Sequence, residues 1–279
     1  MADVSPAQEA GMVGVFSRAA TIYDRVGPRY FAYFGQRLVE RAHVTPGADV
    51  LDVAAGRGAV LFAAAQQVGL KGQVRGIDLS AGMVRETRAE IRDAGLEHVT
   101  MQQMDAEQLD FPAAAFDRVL GGFSLWFFPQ PQRALREFFR VLRPDGRVGL
   151  TTWAEDDPYL TWCQREFAAS LPPQAPPSPG GPEAPRFDTP ARLEAALQQA
   201  GFVDIHITTE EADFVFTQDE DWWTSLWAAG QRRRLEQLEA AVLAQVKADM
   251  LRRVEVLKQA DGIHILRHVL YAVGTKPLS

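Results

Sequence analysis

The run from Val50 to Val60 constrains the fold more than any other part of the chain. Val50 to Val53 is short, aliphatic and β-branched, which is typical of a buried strand. The turn from Ala54 to Gly58 has small side chains, and its two glycines tolerate positive φ and allow another group to approach the backbone. Helix-forming residues follow from Ala59 to Gln67. Strand, turn and helix make half of a parallel βαβ unit, whose ligands bind at the carboxyl ends of the strands.

Two aspartates stand close to this turn. Asp78 ends the second predicted strand, Gln73 to Ile77, where an acid can accept the hydroxyl hydrogens of a ribose. The glycine pattern departs from G-x-G-x-x-G, because from Ala54 it reads A-x-G-x-G-A. Asp52 precedes the turn, where an acid suits a cationic amino-acid ligand better than a pyrophosphate. These features disfavour a dinucleotide.

Five motifs occur in an order that resembles the class I S-adenosylmethionine (SAM) methyltransferases. They are the segments that begin at Val50 (VLDVAAGRG), Gly76 (GIDLS), Met104 (MDAEQLDFP), Phe116 (FDRVLGGF) and Arg140 (RVLRPDGRV). Within that family the chain is most similar to the ubiquinone and menaquinone C-methyltransferase branch, the type 11 methyltransferase domain. The resemblance covers residues 15 to 155, about half of the chain.

The resemblance and the alternation of strands with helices predict an α/β, Rossmann-like, doubly wound sheet of seven strands. Its last strand is antiparallel, and a helical cap is inserted between strands six and seven. We expect a helical lid at 1–44, a SAM-binding core at 45–155, a proline-rich flap at 156–188, and the rest of the sheet at 189–279. The cap occupies 219–260, where aliphatic residues from Leu235 to Leu257 recur at helical spacing.

The resemblance also implies which residues bind SAM, the cofactor. They are Tyr23, Asp52, Ala54, Gly56, Arg57, Gly58, Asp78, Leu79, Met83, Asp105, Ala106, Gly121 and Gly122. In this assignment Asp78 takes the ribose hydroxyls, and Asp105 and the Ala106 amide take the adenine. Asp78 could instead only cap a helix, and Arg57 could reach the donor carboxylate or point to solvent.

Aromatic residues after the fourth strand and in the cap indicate a flat, apolar substrate. The expected pocket consists of Phe123, Trp126, Phe127, Trp153 and Trp222. Ordinary aromatic core is the alternative for this set. None of the five histidines adjoins a motif, so the catalytic residues are unknown. The predicted chemistry needs no metal.

The composition limits the partners. The net charge of −7 and a pI near 5.3 disfavour nucleic-acid binding. No apolar run reaches membrane-spanning length, and the N-terminus has no signal-peptide pattern, which predicts a cytoplasmic protein. We expect a small-molecule substrate and no membrane partner; the oligomeric state stays open.

The leading hypothesis is C- or O-methylation of a small aromatic or apolar metabolite in natural-product biosynthesis. A SAM-binding cyclase or rearrangement enzyme without net methyl transfer is the alternative. A nicotinamide-dependent oxidoreductase is disfavoured by the glycine spacing. Methylation of protein or RNA is disfavoured by the acidic charge balance.

Overall fold

The computed structural model describes residues 11–172, 186–228 and 231–278, which form one mixed sheet covered by helices. The strands are β1 (Asp49–Val53), β2 (Gln73–Asp78), β3 (Val99–Gln103), β4 (Phe116–Gly122), β5 (Leu142–Trp153), β6 (Val203–Phe216), β7 (Lys258–Gln259) and β8 (Gly262–Thr275). The helices are α1 (Met12–Ala19), α2 (Tyr30–Arg41), α3 (Ala59–Val68), α4 (Ala81–Asp93), α5 (Pro131–Val141), α6 (Pro158–Ser170), α7 (Pro190–Gln199), α8 (Asp219–Trp227), α9 (Arg232–Leu235) and α10 (Ala240–Val254).

The strand order across the sheet is β3-β2-β1-β4-β5-β8-β6. The first five strands in that order pair in parallel, and β8 runs antiparallel to both β5 and β6. This confirms the predicted doubly wound sheet with an antiparallel last strand. Within the described part of the chain, the two-residue β7, which pairs with β8, is an addition to it. β2 and β3 lie on one side of β1, and β4 and β5 lie on the other, so the strand order reverses between β1 and β4. Such a switch point opens a crevice at the carboxyl ends of the strands.

Both faces of the sheet are buried, which explains the apolar sequences of its central strands. On one face Leu51 and Val53 of β1 pack with side chains of α5 and α7. On the other face Val50 packs with α2, α3 and α4. The two helical layers therefore hold β1 rigidly and fix the position of the turn that follows it.

The insertion before β8 forms a cap with its own core. The aliphatic stripe predicted from the sequence faces inward, since Val246, Met250 and Val254 of α10 are buried against α6, α8 and β8. Arg267 of β8 joins the sheet to the start of α6, since its Nε lies 2.9 Å from Oδ2 of Asp157, the N-cap of that helix, and both side chains are buried.

The structure differs from the sequence prediction in two places. Strand β6 runs on to Phe216 and is longer than the apolar pattern of its sequence indicates, because its outward-facing acids hide the apolar alternation of an edge strand. Helix α6 lies in the stretch that was expected to be a flap, whereas α1 lies within the expected helical lid. The proline-rich run itself falls at 173–185, outside the described residues. In the described parts of the chain no helix is long and apolar enough to span a membrane.

Candidate active site

Two cavities meet at the carboxyl ends of β1 to β4, and both are bounded by the turn after β1. The first, which we call the outer cavity, encloses about 950 Å³ of empty space including its mouth. The second, the inner cavity, lies between that turn and α2; its enclosed part is about 40 Å³, and about 460 Å³ is empty when its mouth is included. They share part of their lining: Tyr23, Ala54, Gly56, Gly122 and Phe123. A single elongated ligand can therefore occupy both.

Asp78 lies in the outer cavity at the end of β2. One carboxylate oxygen accepts the Gly56 amide at 2.8 Å, and the other accepts the Ser80 amide at 2.8 Å. Burial raises the pKa of Asp78 to about 6, against the effect of these two amides. Each oxygen retains a lone pair that can accept a ligand hydroxyl. The helix-capping role belongs to Ser80 instead, whose Oγ accepts the Met83 amide.

The remaining wall of the outer cavity follows the prediction. Leu79 and Met83 give it an apolar side, and Asp105 and Ala106 lie where the chain leaves β3. The Asp105 Oδ1 accepts the Glu107 amide at 2.9 Å, which holds this loop against the cavity. The structure thus brings together acids from the ends of β2 and β3 around one space.

The turn after β1 adopts left-handed backbone at three positions, with φ of 52° at Ala54, 53° at Gly56 and 80° at Gly58. Left-handed φ is costly for alanine and free for glycine. Gly58 is the N-cap of α3, so the turn delivers the chain directly into that helix. Gly58 was expected to bind the cofactor, but it lines neither cavity. Its left-handed backbone instead shapes the turn.

Asp52 lies in the inner cavity and is almost fully buried. Its Oδ2 has no hydrogen-bond partner among residues 11–172, 186–228 and 231–278. Burial raises its pKa well above the ordinary value, the Leu61 amide opposes this, and the nearby Asp78 adds to it. A buried, unpaired carboxylate is unfavourable by itself and becomes favourable beside a cation. Thr151 Oγ1 in the same cavity is also buried without a partner in the described chain.

Arg57 does not point to solvent, and its buried Nε has no hydrogen-bond partner among the described residues. It lines the inner cavity, but it is buried and its guanidinium donates to the Ala20 carbonyl and to Glu90, with Nη2 at 3.2 Å from the carboxylate. This pairing directs its terminal nitrogens toward the N-terminal segment and α4. Arg57 therefore holds the turn against its neighbours.

The two glycines at the end of β4 have different surroundings. Gly122 lines both cavities, and a side chain there would meet only Val60 within 4 Å. Gly121 lines neither, and a side chain there would press on Ser124 and Leu150. Only Gly122 therefore leaves space for a ligand.

The N-terminal segment covers the site. Tyr23 lines both cavities and stacks on Phe31 of α2 at a centroid distance of 5.2 Å. Helix α1 contributes Met12, Val13 and Phe16 to the outer cavity. Ser17 Oγ lies 2.8 Å from Ser80 Oγ, so α1 is fastened to the start of α4.

The expected substrate residues divide into three groups. Phe123 lines both cavities and has a φ of 53°, and Phe127 lines the outer mouth with 46% of its surface exposed. Trp153 lies behind Phe123, at a centroid distance of 4.1 Å. Trp126 donates to Thr152 Oγ1 and lines neither cavity.

Trp222 was wrongly placed in the substrate pocket. It is fully buried in the core of the cap, and its indole NH donates to the Tyr159 hydroxyl at 2.9 Å. The sequence could show that tryptophans open the insertion, but it could not show which way they face.

Several lining residues were not predicted. Thr151 has a sequence signal, because it is a polar residue near the end of the apolar strand β5. Met12 and Val13 have none, because they lie in a stretch of small and polar residues. No group of three or more possible metal ligands is present in the described residues.

Comparison with known proteins agrees with this geometry. Residues 50–146 match the family model of a methyltransferase domain. The chain is 34% identical to the nocamycin O-methyltransferase of Saccharothrix syringae, over 93% of this chain and 96% of that protein. It is 33% identical to the demethylmenaquinone methyltransferase of Anoxybacillus flavithermus, but over 48% of this chain and 58% of that protein.

A solved structure, that of the [4+2]-cyclase SpnF, is similar with a TM-score of 0.60 at 21% identity, over 98% of this chain and 96% of that one. At this identity the likeness shows the fold alone. The nocamycin relative is similar over nearly its whole length, and the methyltransferase domain covers the turn and the strand ends that form the cavities. The chain belongs to the class I SAM-dependent methyltransferases.

Proposed function

We propose that this methyltransferase transfers the methyl group to an oxygen atom of a small, flat, largely apolar metabolite of natural-product type. The observation that carries the donor half of this proposal is the unpaired, buried carboxylate of Asp52 in a cavity that continues to Asp78. The preference for oxygen rests on the full-length similarity to a protein named as an O-methyltransferase.

The residues present fit SAM. Asp52 and Thr151 offer unpaired buried oxygens to the cationic amino-acid part. Asp78 offers its remaining lone pairs to the ribose hydroxyls. Asp105, the Ala106 amide and the apolar side chains of Leu79 and Met83 surround the adenine. When bound, SAM supplies an electrophilic methyl group on a sulfonium.

The chain itself supplies alignment and exclusion of water. Tyr23, Phe31 and Phe123 form aromatic walls around the place where the two cavities join. Holding two reactants in near-attack geometry lowers a barrier by about 7–11 kcal/mol in favourable cases. Flat aromatic walls select a flat apolar acceptor, because stacked rings bury large area with little loss of side-chain entropy.

The donor site is tested by titrating S-adenosylhomocysteine, the reaction product, into wild-type protein and the Asp78→Ala variant. Loss of hydrogen bonds from a carboxylate to hydroxyls should weaken binding about 10- to 100-fold. Asp110→Ala, at an exposed loop position that lines neither cavity, is the matched control and should bind as wild type does. Equal affinity in wild type and Asp78→Ala would refute the donor placement.

Product mass distinguishes methylation from the cyclase alternative. The protein is incubated with SAM and a panel of flat hydroxylated aromatic compounds, and products are examined by mass spectrometry. Methyl transfer adds one CH2 and consumes SAM, whereas a cyclisation leaves the mass unchanged. A methyl group found on carbon would contradict O-methylation but not methyl transfer.

A further inference from the structure

A third cavity lies between the N-terminal segment and the cap. Its enclosed part is small in the ligand-free chain, about 20 Å³, and about 320 Å³ is empty when its open mouth is included. The lining includes Ile22, Val26 and Pro28 on one side and Ser225 and Ala228 of the cap on the other. Asp24, Tyr30 and Ser225 are the polar members of this lining, and the rest is apolar. Such a lining suits an apolar molecule better than a charged one, and the cavity must widen to admit one of two rings.

This cap-side cavity meets the inner cavity at Asp24 and Phe31, which line both. The neighbouring residue, Tyr23, lines the inner and the outer cavities. Two consecutive residues therefore stand where the donor space and the cap-side space meet. Asp24 has a φ of 52°, a backbone conformation that is costly outside glycine and often retained at functional sites.

The carboxyl group of Asp24 is 3% exposed, and its Oδ2 accepts no hydrogen bond from the described residues. The amides of Phe31 and Ala32, at the start of α2, donate to the same carboxyl group. The nearest cation is Arg29, whose Nε is 4.0 Å from Oδ2 and whose side chain is mostly exposed. One oxygen is thus left over in a buried place where two cavities join.

The charged and titratable neighbours leave this carboxyl group basic. Burial raises its pKa to about 6, and Arg29 and Arg25 only partly oppose this. Tyr23 and Tyr30 also have raised pKa values through burial and stay neutral. A carboxylate with a pKa close to the working pH is an efficient proton acceptor.

We infer that Asp24 is the catalytic base of the reaction and that the acceptor, a flat molecule with a phenolic or enolic hydroxyl, binds in the cap-side cavity with that hydroxyl at Asp24 Oδ2. This inference rests on the proposed O-methylation. The acceptor O–H bond breaks and its proton passes to Oδ2. The oxygen forms a bond to the methyl carbon, the electrons of the broken C–S bond stay on sulfur, and the proton is released to solvent afterwards.

The test uses two flat bicyclic acceptors that differ in acidity. 2-Naphthol is un-ionised at neutral pH and needs a base, whereas 4-hydroxycoumarin is already an anion. Asparagine at position 24 keeps the shape, an acceptor for the α2 amides and a tolerance for positive φ. Asp24→Asn should lower kcat/KM for 2-naphthol about 10²- to 10⁴-fold, the usual contribution of a base. For 4-hydroxycoumarin it should leave kcat/KM unchanged or raise it.

The pH profile gives a second measurement that a merely structural role would not affect. With wild-type protein, kcat/KM for 2-naphthol should fall as the pH drops below about 6, since the base becomes protonated. In Asp24→Asn, kcat/KM for 2-naphthol should not fall over this acidic range. Asp156→Asn, at an exposed aspartate outside the cavities, should behave as wild type does.

The outcomes separate this inference from the proposed function. An equal loss of activity toward both acceptors would make Asp24 a structural residue. Binding of SAM without methylation of either acceptor by wild-type protein would overturn the acceptor class and leave donor binding intact. Failure of wild-type protein to bind SAM would refute the proposed function itself.

Discussion

Ala54 carries a backbone conformation that its side chain disfavours. Its φ of 52° lies in the left-handed region, at the position where the chain turns from β1 toward the ligand cavities. Strain of this kind persists where the surrounding structure fixes it, and here β1 on one side and α3 on the other do so. Phe123, also at positive φ, stands on the opposite wall of the same cavities.

Replacing Ala54 by glycine should therefore stabilise the protein. Relief of the left-handed strain exceeds the extra freedom of glycine in the unfolded chain, so we expect a gain of up to about 1 kcal/mol. Ala55, which has ordinary backbone, is the matched control, and Ala55→Gly should cost about 0.5–1 kcal/mol. Urea unfolding of the three proteins measures both effects. A loss of stability in Ala54→Gly would contradict the strain at this turn.

The elements around the site were unevenly predictable. β1 and β4 are mostly buried on both faces and β2 alternates between buried and exposed residues, so these strands and the acids near the ends of β1 and β2 could be identified from sequence, and Asp52 and Asp78 lie where expected. Exposed edge strands and cap helices carry both polar and apolar residues. For this reason the length of β6 was underestimated and Trp222 was assigned to the wrong site. Contacts between distant elements, such as Arg18 of α1 with Glu236 of the cap, have no local sequence signal.

Helix α1 forms one wall of the outer cavity and is positioned through α4. Gly82, in the first turn of α4, packs against the backbone of Ser17 in α1, and no side chain fits between them. A second tie joins α1 to the cap, since Arg18 Nη2 lies 2.6 Å from Glu236. Helix α1, which covers the donor site, is thus held in place by α4 and by the cap.

Gly82→Ala should displace α1 without touching a ligand. Overpacking of this kind costs about 1–3 kcal/mol, so affinity for S-adenosylhomocysteine should fall about tenfold or more. Hydrogen exchange in residues 12–19 should become faster, while exchange in the sheet is unchanged. Arg85→Ala, on the exposed side of the same helix, is the control and should change neither. Unchanged exchange and affinity in Gly82→Ala would show that α1 is not placed by this contact.

At the scale of the whole molecule, the buried carboxyl groups of the ligand-free site lower the stability of the folded state when they are ionised. Burial raises the pKa of Asp24 and of Asp78 from 3.8 to about 6, and that of Asp52 well above its ordinary value. A carboxyl group whose pKa is higher in the folded state binds protons more tightly there than in the unfolded chain. Its stabilising contribution is therefore present at low pH and is lost as the pH rises through about 6.

We accordingly expect the ligand-free protein to melt at a higher temperature at about pH 5.5 than at about pH 8. The Asp52→Asn/Asp78→Asn double variant should show a flatter dependence, because two of the three groups no longer titrate. Differential scanning calorimetry of both proteins across this range measures the difference. Parallel curves for the two proteins would mean that these carboxyl groups are not buried as described.

We propose that the cavities at the carboxyl ends of β1 to β4 bind SAM. Calorimetric titration of wild-type protein with SAM, S-adenosylhomocysteine and NADH tests it most directly. We predict micromolar binding of both adenosyl ligands, each at one site per chain, and no binding of NADH. Binding of NADH, or no binding of either adenosyl ligand, would contradict the account.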